Sequence, residues 1–372
     1  MKIVILSYCL LGALIGKNIM TNLVIHAGIH KTGSTSLQIF LKANQAQLEK
    51  LNIYRIHPLE DGGPSKDTEP TCHGLARAFI QRDLKNIKEY EKRVVRFLKK
   101  AKPKKTDTFI LSSEEFDRFT AETAKLFKEH ISSHFDSFKV SIYIRPHAAL
   151  INSQHSQQLR EGFIKQRISP FFRSCVKHAR FVKLDEVIGG WVEVFGKESV
   201  LVNSAVREDL FKKDISHDFF KSIIGIELPD GFLRSTNANT KLTFVGREAL
   251  VRLLHDPRLS GLDFSKRRVI FNTYFSSAPK THILLENKPM PIDYSLLEAS
   301  KGLFKKDYEA VNKKYFNGKL DYELWYKKQI NLFDRFRREM ADKDHLDVNQ
   351  IQLAQEEFWA FTNKSKSRKF VG

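Results

Sequence analysis

The residues best suited to chemistry fall in one stretch, His26-Ala-Gly-Ile-His-Lys-Thr-Gly-Ser-Thr-Ser-Leu-Gln38. It follows a short β-rich run, Leu23 to His26, and leads into an amphipathic pattern from Thr35 to about Leu48. That order predicts a loop joining a strand to a helix N-terminus, where unpaired N–H groups and the positive end of the helix dipole favour an anion. Gly28 and Gly33 permit a tight turn and a close approach, Lys31 brings a mobile positive charge, and Ser34, Thr35 and Ser36 bring hydroxyl donors. Phosphate and sulfate are the groups such a loop suits. It departs from the nucleotide-triphosphatase loop, in which Lys directly follows the last glycine, because Lys31 precedes Gly33 by two residues.

A second pair lies further along. After the strand-like run Val140-Ser-Ile-Tyr-Ile144 comes Arg145, and Ser153 follows eight positions later, about two turns into a predicted helix from His147 to Arg160. A guanidinium fork and a hydroxyl so spaced can grip one phosphate. The first loop is similar to the 5′-phosphosulfate loop of the P-loop sulfotransferase superfamily, particularly bacterial members opening His-x-Gly-x-x-Lys-Thr-Gly-Ser-Thr-Ser-Leu-Gln. The Arg145 and Ser153 pair resembles that superfamily's 3′-phosphate site. Asn237-Ala-Asn-Thr-Lys-Leu-Thr243 looks like the Asn-x-Ser-Leu segment of bacterial relatives, with Thr240 in place of the serine and Lys241 interrupting the pattern. Phe304 to Phe316 is similar to a C-terminal helix of the same group. The resemblance covers roughly residues 22 to 317.

What the resemblance implies is a sulfotransferase using 3′-phosphoadenosine 5′-phosphosulfate (PAPS) as donor, with no metal. His30, Lys31, Thr32, Gly33, Ser34, Thr35 and Ser36 would take the phosphosulfate, Arg145 and Ser153 the 3′-phosphate, and Asn239 a further nucleotide contact. Sulfuryl transfer needs a base for the acceptor proton and positive charge for the leaving phosphate oxygen. Lys31 suits the second role. In Ser112-Ser-Glu-Glu-Phe116, just beyond a predicted strand, Glu114 is the first candidate base and Glu115 the second, although carboxylates at a helix start are also favoured by the dipole alone. His73, in Thr71-Cys-His-Gly-Leu75, resembles a His of bacterial relatives that could hold the acceptor; the plain alternative is an exposed loop residue. His26 is expected to end the strand, and His155 to face solvent. A glycan is the expected acceptor, anionic if the basic surface contributes.

These residues need a frame. Strand-like runs at Thr108 to Leu111, Val140 to Ile144 and Ser199 to Val202 alternate with helical patterns at His73 to Lys100, Ala121 to Ser132, His147 to Arg160 and Leu184 to Phe195. That alternation predicts an α/β, P-loop-type domain with a mostly parallel sheet covered by helices on both faces. A helical C-terminal region begins at Thr243. Asp61 to Pro70 reads as a surface loop and Asn363 to Lys369 as a frayed tail. The expected organisation is an apolar extension or misplaced start at 1–19, a sulfotransferase domain at 20–320 and a charged helical extension at 321–372.

With 62 Lys plus Arg against 43 Asp plus Glu in 372 residues, the formal charge is +19, which predicts attraction to polyanions, anionic nucleotides or acidic membrane surfaces, peripheral contact included. Specific nucleic-acid recognition is not expected. Cys9, Cys72 and Cys175 are too scattered for a disulfide framework or a metal-ligand set, which favours a reducing, cytoplasmic setting. The alternative is a membrane anchor through residues 3–16, but this apolar run falls short of the ~20 residues that a spanning helix needs. Two other classes fit part of the pattern. A P-loop kinase or NTPase would share the anion-binding physics but needs a Mg²⁺ set, and a non-catalytic polyanion binder would explain the charge alone.

Overall fold

The computed structural model describes residues 21–57, 72–104, 106–233, 241–277, 285–286, 292, 294–341 and 348–369. The apolar run at 1–19, the 61–70 loop, Cys9 and Asn239 lie outside the described residues. The chain divides into two compact units, one formed by residues 1–144 and 186–235, the other by 145–185 and 236–372.

The first unit is built on a five-stranded, all-parallel sheet in the order β2-β3-β1-β4-β5. The strands are β1 (Asn22–Ala27), β2 (Ile53–Arg55), β3 (Thr108–Ser113), β4 (Ser137–Ile144) and β5 (Val200–Ser204). Strand β1 lies at the centre, between β3 and β4. Its near-continuous apolar run suits burial on both faces. Successive side chains point to opposite faces, so Val24, Ile110 and Tyr143 share one face, where they meet Leu37, Phe40 and Leu41 of α1 (Ser34–Ala43) and Phe219 and Phe220.

The helix expected from Thr35 to Leu48 is broken at Asn44, and a second short helix, Gln45–Lys50, follows. Asn44 explains the break: its side chain accepts from the Leu233 amide at 2.7 Å and donates to the Leu233 carbonyl at 2.9 Å, fixing that backbone from within the chain turn. The three-residue strand β2 has no counterpart among the expectations, since so short a run shows no alternation to detect. Helices α2 (His73–Ile80), α3 (Leu84–Ala101) and α4 (Ala121–His130) lie where helical patterns are expected, as does Leu184–Phe195.

The second unit is mainly helical. Helix α5 (His147–Arg160) starts after Pro146, whose carbonyl accepts from Ala149 and Leu150. Helix α6 (Phe244–His255) is capped by the Thr243 hydroxyl, which accepts from the Gly246 amide at 2.8 Å. Leu159, Leu250, Leu254, Phe271, Tyr274 and Phe358 form this unit's core. Lys241–Leu242 and Leu285–Glu286 make a small antiparallel pair. The tail expected to fray, Asn363 to Lys369, instead completes the helix Val348–Lys369. No helix among the described residues is long and apolar enough to cross a membrane.

Candidate active site

The loop from Gly28 to Gly33 lies at the carboxyl end of the central strand, where open parallel sheets gather ligands. Its turn is closed by the Thr32 amide and hydroxyl, which donate to the Ile29 carbonyl at 3.2 and 2.7 Å. Lys31 takes a left-handed φ of 71° and Gly33 one of 97°. For Gly33 this conformation is unstrained, whereas Lys31 pays for it in backbone energy. Ser36 and Leu37 then donate to the Gly33 carbonyl, and no side chain caps the N-terminus of α1. The Ser34 hydroxyl is buried within the loop with no hydrogen-bond partner. It lies so close over Gly28 that a Cβ there would sit 2.0 Å from it. An uncapped helix start, a buried donor without a partner and a glycine that admits close approach make a cradle for an anion.

Two serines at the end of β3 couple the loop to its surroundings. Because adjacent strand residues face opposite sides, Ser112 points toward α1 and Ser113 away from it. Ser112 Oγ bonds His26 Nδ1 at 2.8 Å and accepts from Gln38 Nε2 at 3.1 Å. Burial pushes the His26 pKa down to about 4, so this imidazole is neutral and structural, as its place in the strand suggests. Ser113 Oγ accepts from the Glu115 amide at 3.1 Å and bonds His73 Nδ1 at 2.8 Å. His73 is thus a half-buried first residue of α2, not an exposed loop histidine.

Beyond β3 the chain forms a short 3-10 helix, Glu114–Arg118, with Ser113 as its cap. Glu114 accepts from Thr35 Oγ1 at 3.2 Å, which places the first candidate base beside the helix start. Glu115 is engaged otherwise. Arg77 reaches it at 2.8 and 3.0 Å and Arg118 at 2.9 Å. Burial alone would raise its pKa, but these two guanidinium groups hold the carboxyl below the usual range. No family model and no curated protein matches the chain. The site therefore stands on its own residues and geometry.

Sequence reasoning did not single out Asp117. It is 2% exposed, and one carboxylate oxygen accepts from the His30 amide at 3.2 Å and meets His30 Nδ1 at 2.5 Å. Its other oxygen is buried without a partner. Burial alone would lower the His30 pKa; the charge and hydrogen bond of Asp117, with Glu114 and Glu115 nearby, outweigh it and raise the value to about 9. The one available signal was spacing: in a 3-10 helix, residues three apart eclipse, so Glu114 and Asp117 share a side while Phe116 turns into the core.

In the second unit, Arg145 follows directly on Ile144, the last residue of β4, and burial holds its guanidinium below the ordinary pKa. Ser153 is half-buried on α5. Next to it, Asn152 Oδ1 accepts from Arg247 of α6 at 2.7 Å. Burial pushes the Arg247 pKa down to about 10. His155 does not face solvent: it is 1% exposed and bonds the Gln166 carbonyl at 2.8 Å. Burial first, with Arg247 adding to it, lowers its pKa to about 4, against the carbonyl bond. Cys72 and Cys175 are buried thiols. Among the described residues no group of three or more His, Cys, Asp or Glu is disposed to hold a metal ion.

Proposed function

We propose that this protein is a sulfotransferase that moves a sulfuryl group from PAPS to a hydroxyl or amine, with a glycan as acceptor. The observation that supports this most is the Gly28–Gly33 loop itself, which combines an uncapped helix start, Lys31 and the buried, unengaged Ser34 hydroxyl at the carboxyl end of the central strand. Its residue order resembles the phosphosulfate loop, which adds the donor to the chemistry of the cradle.

In this reading the loop holds the phosphosulfate, and Arg145 with Ser153 takes the 3′-phosphate. The acceptor oxygen or nitrogen attacks sulfur, its proton passes to Glu114, and the bond from sulfur to the 5′-phosphate oxygen breaks. The electron pair leaves with adenosine 3′,5′-bisphosphate, where Lys31 and the α1 N-terminus stabilise the developing charge. His73 helps to hold the acceptor. The formal charge of +19 favours a second reading, a binder of polyanions without catalysis.

Thermal unfolding with adenosine 3′,5′-bisphosphate, ATP–Mg²⁺ or heparin separates the readings. A sulfotransferase is stabilised most by the bisphosphate, since at equal concentration the ligand that binds the folded state more tightly raises stability more, by an amount that grows as the logarithm of its concentration over Kd. Preferential stabilisation by ATP–Mg²⁺ would assign a kinase or NTPase, and by heparin a polyanion binder.

A further inference from the structure

We propose that His30, locked by Asp117, is a second fixed cation of the loop, an imidazolium that binds the phosphate or sulfate oxygens alongside Lys31. This rests on the anion-binding reading of the loop and not on the identity of the donor. Asp117 is the positioning residue. Its Oδ2 meets His30 Nδ1 at 2.5 Å and accepts the His30 amide at 3.2 Å, so one buried oxygen fixes both ring and backbone. Occupying Nδ1 in this way leaves Nε2 as the nitrogen for a ligand, and the His30 side chain keeps 24% of its surface exposed while Asp117 keeps 2%.

Burial gives Asp117 no solvent to share its charge with, so the pair exists as an ion pair only if the imidazole holds its proton. The other carboxylates around His30 act in the same sense. Glu114 and Glu115 of the 3-10 helix favour the charged ring, the latter weakened by Arg77 and Arg118. Lys31, the next residue of the loop, opposes it, as a protonated His73 across Ser113 would. With the imidazole pKa raised to about 9, the ring stays charged through neutral pH. An ordinary loop histidine would be mostly neutral at pH 7, with a pKa of about 6.5. Such a ring is a poor base and a good anion ligand, which leaves the acceptor proton to another group.

The experiment uses the full chain and inorganic sulfate, whose charge is constant between pH 5.5 and 8. Sulfate affinity is followed by NMR titration of histidine-labelled protein, with the His30 resonances assigned by their loss in His30→Gln. The wild type binds sulfate equally at both pH values, and its His30 does not titrate below pH 8. Asp117→Asn removes the two strongest causes that keep the proton on His30 and leaves burial acting against it, so the ring titrates well below its wild-type value. Sulfate affinity then falls about tenfold at pH 8, the scale of one charged hydrogen bond, and recovers as the pH is lowered through the new His30 pKa read in the same titration. His30→Gln is weakened about tenfold at both pH values. Rescue of Asp117→Asn by acid is the signature that a purely structural role for Asp117 would not produce.

A wild-type His30 that titrates near 6.5, or a His30→Gln that binds sulfate like the wild type, overturns the proposal without need of the Asp117 variant. Adenosine 3′,5′-bisphosphate is titrated in parallel. If it fails to bind while sulfate shows the expected pH behaviour, the donor assignment falls and the two-cation loop stands.

Discussion

Gly28→Ala tests the cradle by sterics alone. Gly28 is not among the residues with positive φ, so an alanine meets no backbone strain, and any effect comes from contact. The added Cβ would sit 2.0 Å from Ser34 Oγ, 2.9 Å from Ser34 Cβ and 3.1 Å from His26 Cε1. Carbon atoms at their best separation are about 3.5–4.0 Å apart, so all three contacts are too close. Rotating the Ser34 hydroxyl away relieves only the first. The remainder must be absorbed by the N-terminus of α1 or by His26, which is pinned to Ser112. Overpacking of this kind costs about 1–3 kcal/mol, and the upper half is expected because two of the three neighbours are a helix start and a strand residue. Urea unfolding reads the loss. In a Ser34→Ala background, where the shortest contact is gone, the cost of Gly28→Ala is expected to shrink by about 1 kcal/mol, which a double-mutant cycle measures. Anion affinity falls in the single variant, because the hydroxyl leaves the cradle. A Gly28→Ala protein with wild-type stability and sulfate affinity would refute the packing argument, as would an equal cost in the Ser34→Ala background.

Lys31→Ala is expected to lower sulfuryl-transfer turnover about a hundredfold or more at saturating PAPS, with a smaller loss of nucleotide affinity. Glu114→Gln is expected to cost about a hundred- to ten-thousandfold in turnover with nucleotide binding retained. Glu115→Gln releases Arg77 and Arg118, so it lowers thermal stability more than turnover, and calorimetry beside a transfer assay distinguishes the two carboxylates. Folding stability is expected to fall in mild acid. His26 and His155, with folded pKa values of about 4, refuse protons that the unfolded chain accepts below about 6.5, so their contribution is present above 6.5 and lost as pH falls toward 4. Between pH 7 and 5 the loss is roughly 2 kcal/mol for each, offset by somewhat under 1 kcal/mol from His30, whose raised pKa works in the opposite sense. Urea unfolding at the two pH values checks the net loss of about 3 kcal/mol.

The loop was legible because its chemistry is local: strand, glycines, lysine and hydroxyls follow one another within a single turn of chain. The alternation of apolar runs likewise announced a parallel α/β unit. Strand order was not legible, since nothing in Leu23 to His26 or in Val140 to Ile144 says that β1 lies between β3 and β4. Asp117 was missed because its meaning depends on a partner 87 positions away and on a 3-10 turn where an ordinary helix start was expected. His155 was misread for a related reason. Its carbonyl partner, Gln166, lies beyond the end of α5, so the pattern within the helix gave no warning that the ring is buried.

The ring packing beneath the acidic segment has a use of its own. Phe116 lies between Glu115 and Asp117 and meets Trp191 edge-on with centroids 6.2 Å apart, while Phe119 stacks on the same indole at 5.3 Å. Trp191 is the one tryptophan of the first unit, since Trp325 and Trp359 belong to the second. Replacing those two with phenylalanine leaves a single tryptophan, which red-edge excitation selects over the ten tyrosines, buried against the segment that bears Glu114 and Asp117. Its emission then reports any displacement of the two carboxylates when an anion enters the loop, without a label and without an acceptor.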